Sequence, residues 1–363
     1  MRKEQFSVLI PDGESDHSIN VLRCLGQMNN VSVFVLSSDP RKAIRYSRYC
    51  TKFISYQDEN CMSRINAICE TVKKIKPDVV LPVDVHTIPL LSDDKLLPKL
   101  TSLVPLPSVE SFKIANNKWL LAQWLKINDI PCPQTILFKS DDPDFEKIIS
   151  SFAFPVLLKP SAGFGGEGIE FFPEPQHLHD YCKKQNFSRE FILQNFIDGY
   201  DLDCSVLCMN GKIMAYTIQK EFISGASFRR ATAIDFFYDR NTYNLVSEVV
   251  KKLDWSGIAH IDLRYDVADD QVKLIEINPR YWGSLMGSFC SGVNFPYLAC
   301  LLALKQNLVQ SEGKPLRYMQ GKTAVKSIAK KMLGNGNSDI ETSLKFILKD
   351  PLPTIAHHFR PVK

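Results

Sequence analysis

The apolar pattern of this chain changes character once, and two prolines, Pro131 and Pro133, mark the change. Before them, short β-branched runs alternate with segments of helical spacing. After them, strand-like segments follow one another with turns between. Phe6-Ser-Val-Leu-Ile10 and Val31-Ser-Val-Phe-Val-Leu36 read as strands, Val79-Val-Leu-Pro-Val83 as a third and Leu103-Val-Pro-Leu106 as a fourth. Ile19, Leu22, Leu25 and Met28 recur at helical spacing after the first strand, and Ile65, Ile68, Val72 and Ile75 do so ahead of Pro77. Such alternation predicts a parallel sheet with helices on its faces. A helix from Ser108 to about Asn128 leads into the prolines. Beyond them, strands are expected at 154–159, 168–172, 191–197, 203–209 and 212–219, the last two joined through the hairpin signal Asn210-Gly211. A helix near 243–253, a hairpin over 257–279 and a helix over 296–304 complete the reading.

At roughly 150 residues per domain, 363 residues make two to three domains, enough to bury a core without metal or disulfide staples. The balance of 44 basic against 40 acidic residues gives no footprint for nucleic acid. Residues 305–363 hold eleven basic and four acidic side chains, so the small positive excess is local to that segment. The apolar run Tyr297–Leu304 is too short to span a bilayer, and the stretch Phe6–Ile10 too short for a signal-peptide core. Ten cysteines with no Cys-x-x-Cys pair suggest neither a zinc site nor a disulfide framework, so a cytoplasmic protein is expected. No Gly-x-Gly-x-x-Gly follows the first strand. The amino-terminal region is therefore Rossmann-like in shape only, which argues against a dinucleotide-dependent oxidoreductase.

Two constellations carry chemistry. In Phe154-Pro-Val-Leu-Leu-Lys-Pro-Ser-Ala-Gly-Phe-Gly-Gly-Glu-Gly168 a strand delivers Lys159, and Gly163, Gly165, Gly166 and Gly168 free the backbone to approach a ligand closely. Successive N–H groups beside a lysine suit phosphate oxygens. Gly168-Ile-Glu-Phe-Phe172 reads as a strand, so no helix opens at the loop as a P-loop or dinucleotide loop requires. The remaining readings are a lid between two strands and a plain surface hairpin.

The second constellation is Gly257-Ile-Ala-His-Ile-Asp-Leu-Arg-Tyr265 followed by Val272-Lys-Leu-Ile-Glu-Ile-Asn-Pro-Arg280. Ala259, Ile261, Leu263 and Tyr265, with Ile275 and Ile277, form the expected buried face. A three-residue loop at 268–270 sets Asp262 opposite Glu276 and His260 opposite Asn278. Asp262, Glu276 and Asn278 then share the other face, where two carboxylates and an amide oxygen suit Mg2+. A solvated polar sheet face is the alternative. In Ser224-Gly-Ala-Ser-Phe-Arg-Arg-Ala231, the pair Arg229 and Arg230 suits a carboxylate or phosphate, with Lys220 as a further candidate for substrate.

The lysine strand with its glycine loop, the late Asp262…Glu276-x-Asn278-Pro-Arg280 and the α/β amino-terminal region together resemble the ATP-grasp superfamily, most nearly its carboxylate–amine ligase-like members. Glu276-Ile-Asn-Pro-Arg-Tyr-Trp-Gly283 is the sharpest match, and the likeness runs from about Phe6 to Lys305. It implies an α/β Rossmann-like (pre-ATP-grasp) domain over 1–112, then an α+β two-lobed ATP-grasp domain over 113–305. The lid lobe would cover about 131–197 and the metal-binding lobe about 198–305, with 306–363 a basic C-terminal extension.

The resemblance also implies roles. Lys118 and Lys159 would hold the α- and β-phosphates, beneath a lid formed by the 163–168 loop. Gln194, Asn195, Phe196 and Ile197 would be the hinge whose backbone meets the adenine edge, and Asp201 would bind the ribose hydroxyls. Asp262, Glu276 and Asn278 would be the magnesium ligands, and Arg280 the clamp on the γ-phosphate or acyl phosphate. Two departures are visible: Gln194 stands where many relatives carry glutamate, and Asp201 is shorter than the usual glutamate. The implied activity activates a carboxylate as an acyl phosphate with ATP and Mg2+ (one or two ions, or Mn2+) and passes it to an amine. The implied partners are small-molecule acids and amines and a second copy of the chain, with no nucleic acid or membrane. Two alternatives remain: a carboxylase-type enzyme activating bicarbonate, and an ATP-binding regulatory module without turnover.

Overall fold

The computed structural model describes residues 4–57, 59–92, 102–139, 145–163, 165–184, 190–223, 232–332 and 340–358. They build three sheets. The first is parallel, from β1 (Phe6–Ile10), β2 (Val31–Ser37), β3 (Cys50–Ser55) and β4 (Val79–Val80), in the order β3-β2-β1-β4. Val8, Leu9 and Ile10 are all fully buried, as expected for a strand covered on both faces. The helices Ser18–Gly26 and Cys61–Ile75 lie between strands, as the apolar spacing predicts. Three details differ from the sequence reading. Pro82 shortens the strand expected at 79–83 to two residues, because proline cannot donate to a ladder. Leu103 forms only an isolated bridge to Val80. β3 was not anticipated: its burial is intermediate or low throughout, leaving no apolar run to read.

The helix expected over 108–128 is two, Val109–Ala115 and Lys118–Ile127. Asn117 breaks it by capping the second, its side chain accepting from Trp119 N and Leu120 N. That cap puts Lys118 on the first residue of a helix.

The second sheet is antiparallel: β5 (Thr135–Phe138), β6 (Val156–Pro160), β7 (Glu170–Phe172) and β8 (Phe191–Asn195), ordered β5-β8-β6-β7. It has a core of its own around Phe138, Val156, Leu158, Phe172 and Leu193.

The third sheet has eight strands: β9 (Gly199–Met209), β10 (Lys212–Ile223), β11 (Ala233–Phe237), β12 (Gly257–Asp266), β13 (Gln271–Asn278), β14 (Ser311–Glu312), β15 (Leu316–Met319) and β16 (Ile340–Thr342). Its path is β13-β12-β9-β10-β11-β15-β16, with β14 beside β10. Asn210 and Gly211 take φ of 50° and 70°, the pair of positive values that a two-residue hairpin turn needs. The helices Lys118–Ile127 and Arg240–Lys252 pack on one face through Leu121, Leu125, Val246, Val249 and Val250. The other face of β9, β12 and β13 is left for polar side chains.

The β12–β13 hairpin pairs Asp262 with Glu276 and His260 with Asn278, as the sequence reading required. The loop, however, has four residues, since Asp266 pairs with Gln271. A bulge absorbs the difference: Asp262 faces Glu276, yet Leu263 faces Leu274, so Ile275 is the extra residue. Face parity reverses there. Leu274 is fully buried, while Ile275, expected inside, lines the cleft.

Within 306–363 the described residues pack against the rest of the chain. β15 pairs with β11, Tyr318 is 1% exposed, and Asp350 makes a buried ion pair with Arg23 of the first helix at 3.3 Å. Truncation after Gln310 should therefore yield protein without a cooperative thermal transition by circular dichroism, because it strips β11 of a partner and removes Tyr318 and Phe346 from the core they share with the amino-terminal region.

Candidate active site

A cleft of about 660 Å³ lies between the second and third sheets. Lys159, Gly163, Gly165, Gly166 and 194–197 line it from one side, and Asp203, Asp262, Glu276, Asn278 and Arg280 from the other. Lys118 borders both.

β6 carries Lys159 inward, where it is 6% exposed and its Nζ donates to Gln194 Oε1 at 2.8 Å. Burial pulls its pKa from 10.5 down to about 8, against the attraction of Glu276. Gln194 is held in turn, its Nε2 donating to Thr135 Oγ1 at 3.0 Å. Lys118 Nζ reaches Gly163 O at 2.7 Å and Glu276 Oε2 at 3.1 Å, so one side chain ties the glycine loop to the acidic strand. Gly163 and Gly165 have φ of 125° and 75°, and a Cβ on either would point into open space. Backbone conformation, not crowding, is what calls for glycine there.

Across the cleft, the register Asp203↔Asp262↔Glu276 sets three carboxylates in a row on β9, β12 and β13. Burial, then Glu276 and Asp203, push the Asp262 pKa well above its ordinary value. For Glu276 burial acts in the same sense, but Lys118, a hydrogen bond with Asp262 and Lys159 outweigh it and hold the pKa low. Burial lifts Asp203 to about 7 despite a hydrogen bond from Gln219. Asn278 points Nδ2 at Glu276 Oε1, 3.1 Å away, and at both Asp262 oxygens, while its Oδ1 accepts from Arg280 Nη2 at 3.0 Å. Arg280 is 6% exposed and is held from the amino-terminal region by His17 Nε2 at 3.0 Å.

Other expected positions fall differently. Asp201 lines the cleft, half exposed, and is paired with Arg264. Asn195 lines the cleft, with its Nδ2 turned to Ala153 O and its backbone N–H donating to Gln134 O. Gly168, with φ of 73°, is not among the lining residues. Lys220 does not face the cleft: Gln219 and Glu221 do, and strand alternation sends Lys220 outward, 5.4 Å from the Phe237 ring. Arg229 and Arg230 lie outside the described residues.

Three residues had no role in the sequence reading. On β9 Asp203 shares the odd-numbered face with Asp201, and on β12 His260 shares the even-numbered face with Asp262, an alternation that the sequence alone could have signalled. Arg264 donates to Ile197 O at 2.7 Å and Gly199 O at 3.0 Å and lies 5.0 Å from the Phe196 ring centre, so it fixes the segment joining the second and third sheets. Replacing Arg264 with alanine should speed amide hydrogen exchange across 196–199 about tenfold while the thermal midpoint moves only a few degrees, read by exchange mass spectrometry and a melt.

Residues 115–284 match the ATP-grasp domain. The chain is 26% identical over 193 residues to a D-aspartate ligase of Enterococcus faecium (strain Aus0004), covering 46% of this chain and 44% of that protein. It is 26% identical over 184 residues to the carbamoyl phosphate synthase large chain of Archaeoglobus fulgidus, covering 48% and 17% respectively. It thus spans less than half the length of these curated relatives. The fold is similar to the Staphylococcus aureus N5-carboxyaminoimidazole synthetase solved with ADP, with TM-score 0.69, 14% identity and coverage of 92% of this chain and 87% of that one. Among the described residues, no helix is long and apolar enough to cross a membrane.

Proposed function

We infer that this chain, which carries an ATP-grasp domain over residues 115–284, is an ATP- and Mg2+-dependent ligase that joins a carboxylate to an amine and releases ADP and phosphate. The observation that carries this reading is the opposition across one cleft of Lys118, Lys159 and the glycine loop to the carboxylate row of β9, β12 and β13. The amino-terminal parallel sheet is read as the Rossmann-like partner domain, its strand ends bordering the site where His17 meets Arg280 and Val83 O accepts from Tyr281 N.

The donor set fits Mg2+: Asp262 and Glu276 are hard oxygen ligands on neighbouring strands, and Asn278 adds an amide. Asn278 turns its nitrogen to the carboxylates, so offering Oδ1 to an ion takes a half-turn of the amide away from Arg280. Mg2+ held there would neutralise phosphate oxygens and favour charge transfer to the leaving ADP.

The chain's own residues are assigned the rest. Lys118 and Lys159 hold the α- and β-phosphates, with the 163–168 backbone over them, and the backbone of 194–197 meets the adenine edge. Asp201, kept in place by Arg264, lies toward the ribose. The acid's carboxylate oxygen attacks the γ-phosphorus in line and ADP leaves; the amine nitrogen then attacks the acyl carbon, the bond to phosphate breaks, inorganic phosphate departs and the nitrogen gives up a proton. Arg280 balances the charge that gathers on the transferred phosphoryl group. The glycine loop keeps water from the acyl phosphate.

Screening ADP release across pairs of amino acids, small carboxylates and amines, with mass spectrometry of the products, tests the proposal. ADP formation that needs both partners, with a product of acid plus amine less one water, is the expected result. ADP release driven by bicarbonate alone would favour the carboxylase reading. Tight ATP binding with no ADP from any pair would leave a regulatory module.

A further inference from the structure

His260 has no part in the proposed nucleotide or Mg2+ contacts, yet its surroundings are those of a metal ligand. Its Nε2 lies 3.6 Å from Asp262 Oδ1 and 3.9 Å from Asp203 Oδ2, and one donor atom from each of the three residues falls within 4.8 Å of the others. Two ligands each about 2.1 Å from a common ion can be no more than about 4.2 Å apart, and both measured edges meet that limit. Two of the three side chains, His260 and Asp203, are also held by groups outside the set. Ser205 Oγ, fully buried, lies 2.9 Å from His260 Nδ1, which leaves Nε2 facing the carboxylates. The imidazole stacks on Trp282 with ring centres 5.4 Å apart and planes within 9°. Gln219, 3% exposed, donates to Asp203 Oδ2 at 2.8 Å, and its own Oε1 accepts from Ser284 Oγ at 3.0 Å. A solvated polar face needs no such supports, whereas metal ligands characteristically have them.

We propose that Asp203, His260 and Asp262 form a cation site of their own, selective for a first-row transition ion over Mg2+, which shares Asp262 with the Asp262–Glu276–Asn278 set. The selectivity follows from the donors. Mg2+ takes oxygen almost exclusively, while an imidazole nitrogen between two carboxylates suits ions from Mn2+ to Zn2+. Only the shared use of Asp262 rests on the functional reading above; the three-residue geometry stands without it.

The test is Mn2+ titration of the full chain without nucleotide, followed by electron paramagnetic resonance with electron spin-echo envelope modulation. Bound Mn2+ is expected to show 14N coupling from an imidazole in the wild type and to keep it under a tenfold excess of Mg2+. H260Q should lose the coupling and bind one Mn2+ fewer. S205A, a smaller change at a residue that only orients the ring, should weaken that same Mn2+ about tenfold while retaining the nitrogen signal. Absence of 14N coupling in the wild type, an unchanged Mn2+ count in H260Q, or full displacement by Mg2+ would each overturn the site. Because no nucleotide is present, these results are independent of whether ADP is ever formed.

Discussion

Replacing Glu276 with alanine is expected to lower ADP formation about a thousandfold or more while leaving the chain folded. Glu276 is the point where the two sides of the cleft meet: it pairs with Lys118 at 3.1 Å and neighbours Asp262 across the β12–β13 register. Removing it takes away an anionic ligand for Mg2+ and frees Lys118 from its place between the glycine loop and β13. The fold should survive because the substitution relieves repulsion among Asp203, Asp262 and Glu276. Lys118 keeps its bond to Gly163 O, and Lys159, though it loses the attraction of Glu276, keeps Gln194 Oε1 as its acceptor. The measurements are a coupled ADP assay and a thermal melt on the same preparation. Near-normal turnover in a variant that melts like the wild type would falsify the metal assignment.

Lys159→Met should move stability and ligand affinity in opposite directions. Burial lowers the Lys159 pKa from 10.5 to about 8, so a proton held there costs folding free energy. The sign follows from linkage: below pH 8 both states are protonated and the cost is complete. Between pH 8 and 10.5 the unfolded chain binds more protons, so stability climbs with pH and the cost vanishes above 10.5. The penalty at neutral pH is about 3 kcal/mol, and methionine of similar length removes it, so nucleotide-free K159M should melt higher than the wild type at pH 7. MgATP affinity should fall by about a hundredfold or more, since a desolvated ammonium aimed at phosphate is lost. Wild-type affinity should also decline as pH rises past 8, and K159M should show no such decline. A variant that melts lower at pH 7 and binds MgATP normally would remove Lys159 from the site.

How much was legible depended on the range of the interaction involved. Strands such as Phe6–Ile10 and the hairpin at Asn210-Gly211 are written locally, in apolar runs and in a turn that needs positive φ. The pairing of Asp262 with Glu276 was legible because strand alternation propagates from nearby apolar residues. The bulge at Ile275 was not, since an extra residue can sit anywhere along a hairpin at the same sequence length. Lys220 was misread for a related reason: charge marks a residue as polar, but only the register with β9 decides which face it takes. The packing of the C-terminal segment was not legible because its charges are conspicuous, whereas Tyr318, Phe346 and Asp350 are buried by strands and helices far away in the chain.

The amino-acid order alone determined the strand–helix alternation, the lysine-led glycine loop and the acidic hairpin, patterns set within about twenty residues by periodicity and backbone preference, and the order of the last two along the chain carried the ATP-grasp resemblance. The third dimension decided that Asp203, from a strand some sixty residues earlier, stands beside Asp262, that Lys118 bridges the cleft, and that His17 holds Arg280. These are side chains brought together by strand order and packing, and neither leaves a local imprint on the sequence, because a contact made across a sheet constrains only the two residues that meet there.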